Sequence, residues 1–539
     1  MWSKVKRYAF ILPLIVGFIL RLIHLLAWKN TPFFHNPTVD EFYHYIWAKN
    51  IAEKRFELLS GPFFRAPFYP YFLGFLMWIF KEEFFYTRLI QIIIGSITIC
   101  LVWNLARRVS GSSLVAFLSA LIYAFYPIFI YFETRFLLDF LLLFFDTLAL
   151  LLLLISLERL SYTLLYLSGF IIGVSGITRP NILAIAPILF IWWIINTRKR
   201  TNVSVKKALL YFLFILLPLL PVTIYNYYTS GEFIIVSTQG GINFYIGNNP
   251  YSDGASSYIQ ELGTDWQYID CKHLAELETG KRLTHSELER FYLKKGIDFI
   301  LNSPYKALKL YIRKLYLLLN KAEISDNQNI DFHRKYSWVL RIPMGYWILA
   351  PLGFSALFFA RSRKQALLAV FVISYAITLL PFFITARLRL PILPPLIILA
   401  VNFFITTLKK ASNNPIEFLK RYILFLFFLT ICLTNWASIN LKDFSHSYYT
   451  LGNIYLREGK LDDALESYGQ AIKINPTIRN VHLNAGIVYL KLRKFDKAES
   501  EFKRELDTDP KSSKAYGNLS ILYMLKGDSE KALSHAKKS

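Results

Sequence analysis

Residues 136–157 read FLLDFLLLFFDTLALLLLLISL, an apolar run in which Asp139 and Asp146 are the only charges. A helix rises about 1.5 Å per residue, so a run of this length crosses the roughly 30 Å hydrocarbon core of a bilayer. Ten further apolar runs, at 8–28, 86–106, 114–132, 163–177, 182–197, 208–226, 345–360, 365–385, 392–408 and 422–438, bring the expected number of spans to eleven. The composition agrees: 54% of the 539 residues are hydrophobic and only 18% are charged, more apolar than a soluble globular chain. The fold class expected is all-α, a polytopic membrane protein.

The net charge of +24, from 61 Lys and Arg against 37 Asp and Glu, does not point to nucleic acid. The cations fall in short clusters between apolar runs, where the positive-inside rule places them. With eleven spans, the short segments on the side of the N-terminus hold eighteen Lys and Arg, among them Lys4, Lys6, Arg7, Lys199 and Arg200. The three short segments on the other side hold four: Arg135, Arg179, Arg387 and Arg389. The N-terminus is therefore expected in the cytoplasm of a cell (inner) membrane protein and the C-terminus on the outer side. No small-residue cleavage site ends the first run, which reads as a retained span. Ala66–Phe80 is apolar but short, with Pro67, Pro70 and Gly74, and is expected as an in-plane or re-entrant helix. Two long outer segments follow, 29–85 and 227–344. Cys100 and Cys432 lie in apolar runs and Cys271 in a polar loop, so neither a disulfide framework nor a zinc spacing exists.

After residue 445 the pattern changes. Tyr455, Tyr489 and Tyr523, Ala464, Ala498 and Ala532, and Pro476 and Pro510 recur at steps of 34. With Gly452, Gly486, Tyr468 and Phe502 at matching places, this resembles the tetratricopeptide repeat, in units 445–478, 479–512 and a partial 513–539. The division expected is 1–441 for the membrane domain and 445–539 for the repeats. Such an array serves either as a spacer or oligomer contact, or as a groove for a protein or peptide acceptor.

In the first outer segment, Thr38-Val39-Asp40-Glu41 opens a helix whose Phe42, Tyr45, Ile46 and Ala52 share a face. On local physics alone Thr-x-x-Glu is a capping box and Asp40 complements the helix dipole, which accounts for both carboxylates. A wider pattern surrounds the pair: Tyr43 just behind it, then Arg65-Ala66-Pro67-Phe68-Tyr69-Pro70 leading into the in-plane helix, and Glu133-Thr134-Arg135-Phe136-Leu137-Leu138-Asp139. Thr178-Arg179-Pro180-Asn181, the stretch GGINFYIGNNP at 240–250 and Arg387-Leu388-Arg389-Leu390-Pro391 follow in order. Over roughly residues 8–440 this resembles the GT-C glycosyltransferases, in the branch of the protein O-mannosyltransferases and the lipid A aminoarabinose transferases. The family's usual second proline is replaced by Ala66.

The resemblance implies a sugar donor carried on a polyprenyl phosphate, and an acceptor hydroxyl on protein, lipid or glycan. It makes Asp40 the catalytic base or acceptor orienter, with Glu41 beside it. A departing phosphate calls for cations, and Arg65, Arg135, Arg179, Arg387 and Arg389 are the candidates for holding it; for each, a lipid-headgroup contact is the plainer reading. Arg135, Asp139 and Asp146, at i, i+4 and i+11, are expected on one face of the fourth span, with Arg21 and His24 facing them as a supporting polar network. No nucleotide-sugar site, and hence no Gly-rich phosphate loop, is needed. His35, His44 and Glu41 offer ligands that a divalent metal could use, although their spacing matches no dedicated motif. Two rival readings are a polymerase or ligase of lipid-linked glycans, and a non-catalytic scaffold that displays the repeats.

Overall fold

The computed structural model describes residues 10–55, 61–198, 204–263, 266–325, 329–440 and 443–539. Lys4, Lys6, Arg7, Lys199 and Arg200 lie outside them. Among the described residues all regular structure is helical, apart from an isolated antiparallel bridge between Ile259 and Gly263. Two compact units are present. The first comprises Met1–Lys29, Val39–Asp326 and Tyr336–Ile439; the second comprises Asn30–Thr38, Asn327–Lys335 and Asn440–Ser539.

In the first unit each of the eleven apolar runs contains a helix. Six are long and apolar enough to cross a membrane, or seven if a bent pair counts as one span, against the eleven expected. The shortfall has identifiable causes. Tyr162–Gly176, Tyr346–Leu357 and Arg363–Leu379 have 15, 12 and 17 residues, and at about 1.5 Å per residue they fall short of a roughly 30 Å core. Pro415–Leu433 is long enough but carries Glu417, Lys420 and Arg421 in its first two turns. The stretch Ala66–Phe80, expected as an in-plane or re-entrant helix, forms the short helix Phe68–Phe80.

One break positions the site. A proline disfavours helical backbone in the residue before it, and Tyr126, at φ −75° and ψ 113°, is extended ahead of Pro127. The run 114–132 is therefore two helices, Ser113–Phe125 and Pro127–Glu133, bent by 55°. The next helix starts only at Asp139, so residues 134–138 form a buried non-helical link. Arg135 and Asp139 consequently do not share a helix, contrary to the i, i+4 expectation. Asp146, deeper in Asp139–Arg159, accepts a 2.6 Å hydrogen bond from Ser175.

Close backbone approach fixes the packing elsewhere. A Cβ at Gly173 would lie 2.3 Å from the Ile215 carbonyl, so Tyr162–Gly176 can seat on Val205–Ser230 only with glycine there. The segment after residue 230 builds its own small core. Helices Gly240–Gly247, Tyr268–Thr279 and His285–Asn302 bury Ile242, Ile246, Cys271, Leu288 and Tyr292 together, with Phe64 and Phe383 against the edge.

The second unit contains three helix pairs, starting with Ser445–Arg457 and Leu461–Ile474 and ending with Ser513–Lys526 and Ser529–Ala536. The ring of Tyr468 fills the space over Gly452 and that of Phe502 the space over Gly486, which explains the recurrence of Gly and aromatic at one period. The unit is larger than its repeats. Phe332 meets Phe33 at 6.3 Å, Phe444 at 5.9 Å and Tyr448 at 5.1 Å between ring centroids, and Asn36 donates a 2.8 Å hydrogen bond to Glu458. Aromatic burial thus ties two earlier segments to the first repeat, across the boundary expected at 445.

Candidate active site

Helix Asp40–Ala52 starts after Val39, which holds φ 53° and ψ −121°, a left-handed conformation costly for a β-branched residue. Val39 itself supplies no side-chain cap. Glu41, expected as a capping-box partner, has its buried carboxylate 2.5 Å from Arg135. The buried face is Glu41, His44 and Ala48, while Phe42 and Ile46 are exposed. The helix turns its polar side inward.

Asp40 is gripped from both sides. Arg65 donates to Oδ1, and Arg387 donates to Oδ2 at 2.8 Å. Arg387 Nε lies 3.5 Å from Asp139 Oδ2, and Arg179 donates to Asp139 Oδ1 at 3.0 Å. Five side chains from five separate stretches of the chain thus alternate in sign: Arg65, Asp40, Arg387, Asp139, Arg179. Exposure falls from Arg65 to Asp139 and rises again to 10% at Arg179. The Arg65 side chain is 24% accessible, Asp40 13%, Arg387 11% and Asp139 0%, so the Arg65–Asp40 end is the open one.

Loops hold these arginines in place. The Arg65 loop is fixed by Phe63 N–H donating to Asn226 Oδ1 at 2.9 Å, and by Phe68 N–H donating to the Ile177 carbonyl at 3.1 Å. The Arg65 guanidinium also lies 4.7 Å from the centre of the Tyr43 ring, a cation–π contact. Arg387 sits on a loop tied through Ile384 N–H to the Gly254 carbonyl at 2.8 Å and through Ala386 N–H to the Ile324 carbonyl at 3.0 Å.

Arg389, two residues on, has another employment. It donates to the carbonyls of Leu317, Asn320 and Ala322 and to Glu323, and lies 4.1 Å from the Tyr346 ring centre, so it staples the loop rather than joining the Asp40 series. Arg135 is likewise elsewhere: buried against Glu41, with its guanidinium 4.6 Å from the Trp28 ring centre. Arg21 pairs with Glu133, both fully buried, and His24 shares a 3.2 Å hydrogen bond with Thr134. Of the five candidate arginines the structure therefore gathers Arg65, Arg179 and Arg387 around Asp40 and Asp139, and engages Arg135 and Arg389 in other contacts.

Two residues of the surrounding network, Gln91 and Arg88, did not emerge from the sequence. Gln91 donates to the carbonyls of Glu133 and Arg135 at 3.0 and 2.8 Å and accepts from the Tyr69 hydroxyl at 2.9 Å, while Arg88 donates to the Thr134 carbonyl at 2.9 Å. Arg88 and Gln91 are polar groups inside a predicted span, and that position was the available signal. Burial, reinforced by Arg65, pushes His44 down to about 3, so its imidazole is neutral beside Asp40 at ordinary pH. Burial pushes the Tyr43 hydroxyl up to about 12. Among the described residues no group of three His, Cys, Asp or Glu is arranged to hold a metal ion.

Residues 64–225 match the family model described as dolichyl-phosphate-mannose-protein mannosyltransferase, and residues 452–492 and 483–538 match tetratricopeptide repeat models. No curated protein matches. Among solved structures, an archaeal oligosaccharyltransferase, AglB from Archaeoglobus fulgidus, matches at 14% identity and a TM-score of 0.45, covering 85% of this chain and 59% of its own. A crystal structure of MamA matches at 23% identity and a TM-score of 0.18, covering 26% of this chain and 84% of its own. Residues 64–225 are thus similar to dolichyl-phosphate-mannose-protein mannosyltransferases, and residues 452–538 to tetratricopeptide repeats.

Proposed function

We propose that this protein moves a hexose or pentose from a polyprenyl-phosphate carrier to an acceptor hydroxyl at the outer face of the membrane. The observation that carries the reading is the unbroken series Arg65–Asp40–Arg387–Asp139–Arg179. Asp40 takes the proton of the acceptor hydroxyl as its oxygen bonds to the anomeric carbon. The bond from that carbon to the phosphate oxygen breaks, and its electron pair leaves on the phosphate. Arg65, Arg387 and Arg179 hold the phosphate and receive the developing charge.

Charge balance supports this assignment. Three guanidiniums against two carboxylates leave the series one positive charge in excess, matching a phosphodiester donor. Once Asp40 is protonated the excess is two, matching the nearly dianionic monoester that leaves. A scaffold that merely displays repeats has no use for such a series, and a polymerase or ligase has its key residues in a late, large loop rather than directly after the first span. We assign the repeats to the acceptor side, and the cation asymmetry of the sequence supports a site at the outer face.

The test is incubation of the purified full-length protein with polyprenyl-phosphate sugars of several kinds, together with membrane extract as acceptor source. The reading requires release of polyprenyl phosphate and a matching sugar mass on an extract component. Consumption of none of these donors would contradict it.

A further inference from the structure

Resting on that reading, we infer that in the ligand-free protein Asp40 is the internal occupant of the donor-phosphate site, so that donor binding itself uncovers the base. Both carboxylate oxygens of Asp40 are engaged by guanidiniums, Oδ1 by Arg65 and Oδ2 by Arg387. A carboxylate between two guanidinium forks occupies the position that an external phosphate would take. It also sits at the open end of the series, where a lipid-borne phosphate arrives first.

The neighbouring groups permit the exchange. Asp139 stays behind, fully buried, and anchors Arg387 and Arg179 while Asp40 lets go. Arg65 is held over the Tyr43 ring independently of Asp40, and its buried Nε has no hydrogen-bond partner among the described residues, so a donor is spare for an incoming oxygen. When phosphate oxygens take the two guanidiniums, the Asp40 oxygens are released toward the acceptor hydroxyl. The order is then fixed: the donor binds first, and the base is available only when there is a sugar to transfer. Water is denied an active base in the empty enzyme.

Competition between Asp40 and phosphate gives an unusual signature, because a catalytic-site substitution should improve ligand binding. The probe is a short-chain prenyl phosphate without sugar, titrated against the full-length protein in detergent, with the matching prenyl alcohol and inorganic phosphate as parallel arms. Asp40→Asn, which keeps the shape and removes the competing charge, should bind prenyl phosphate about tenfold or more tightly than the natural protein. Asp40→Ser serves as a second variant; a partly unfolded protein would bind less tightly, so a gain cannot come from misfolding. Adding Arg65→Gln to Asp40→Asn should abolish the gain.

Equal or weaker binding of prenyl phosphate by both Asp40 variants would overturn the inference. So would an equal gain for the prenyl alcohol, which carries no charge for the arginines to sense. A gain for inorganic phosphate as well assigns the site to the phosphate group alone and still supports it. If prenyl phosphate binds neither the natural protein nor the variants, the donor assignment fails first and this inference falls with it.

Discussion

Asp40 and Glu41 are adjacent in sequence and unlike in setting. The Asp40 side chain is 13% accessible and shared by two arginines, whereas Glu41 is 1% accessible and committed to Arg135. Local sequence could say that both carboxylates open a helix, but not which would face outward, because the partners arrive from about 25 to nearly 350 residues away. That separation also explains why Arg135 and Arg389 could not be told from Arg179 and Arg387 in advance: all four follow or precede apolar runs, and only tertiary packing decides what each one meets. Glu41→Gln is expected to act on stability. It leaves the Arg135 charge buried without its counter-ion, a loss on the order of 3 kcal/mol that should appear as a lower melting temperature, while turnover per folded molecule is largely kept. A variant with normal stability and transfer reduced as far as in an Asp40 variant would give Glu41 a direct part in the reaction.

At the scale of elements, the apolar runs and the 34-residue period were legible because each depends on composition and spacing along one helix. The bend after Tyr126 was only half legible. Pro127 marks a break, but the turning of Glu133 and Arg135 into the interior depends on what receives them. Gly95 is one such receiver: a Cβ there would lie 2.3 Å from the Glu133 carboxyl carbon. Gly95→Ala should therefore disturb the buried Arg21–Glu133 pair and cost about 2 kcal/mol or more, measured by thermal unfolding in detergent. Gly111→Ala is the comparison at an open position, where a Cβ meets nothing and the cost is confined to the left-handed backbone at φ 69°. Equal melting temperatures for Gly95→Ala and the natural protein would remove close packing around Glu133 as a determinant of the site.

For the whole molecule, the expected division into 1–441 and 445–539 differs from the second unit, which also takes in Asn30–Thr38 and Asn327–Lys335. Phe33 and Phe332, outside the repeats in sequence, pack within the same unit as Phe444 and Tyr448. Truncation at the start of the repeats would strip the cover from these rings and should cause aggregation, so acceptor choice is better tested by exchanging surface residues of the array than by deleting it. Topology has its own test. Cysteines introduced at Lys206 or Lys207 should resist an impermeant thiol reagent in intact cells, and one at Tyr251 should react. The reverse pattern would place the Asp40 site on the cytoplasmic side.

The central claim is that Asp40 takes the acceptor's proton while its arginines hold the phosphate. It is tested most directly by the rate of sugar transfer from a polyprenyl-phosphate donor in Asp40→Asn, compared with the natural protein at saturating donor. Asn fits the same helix start but cannot accept a proton, so transfer should fall by roughly two to four orders of magnitude while donor binding tightens. Transfer at a near-normal rate would take Asp40 out of the chemistry and leave the alternating series as a structural ion network.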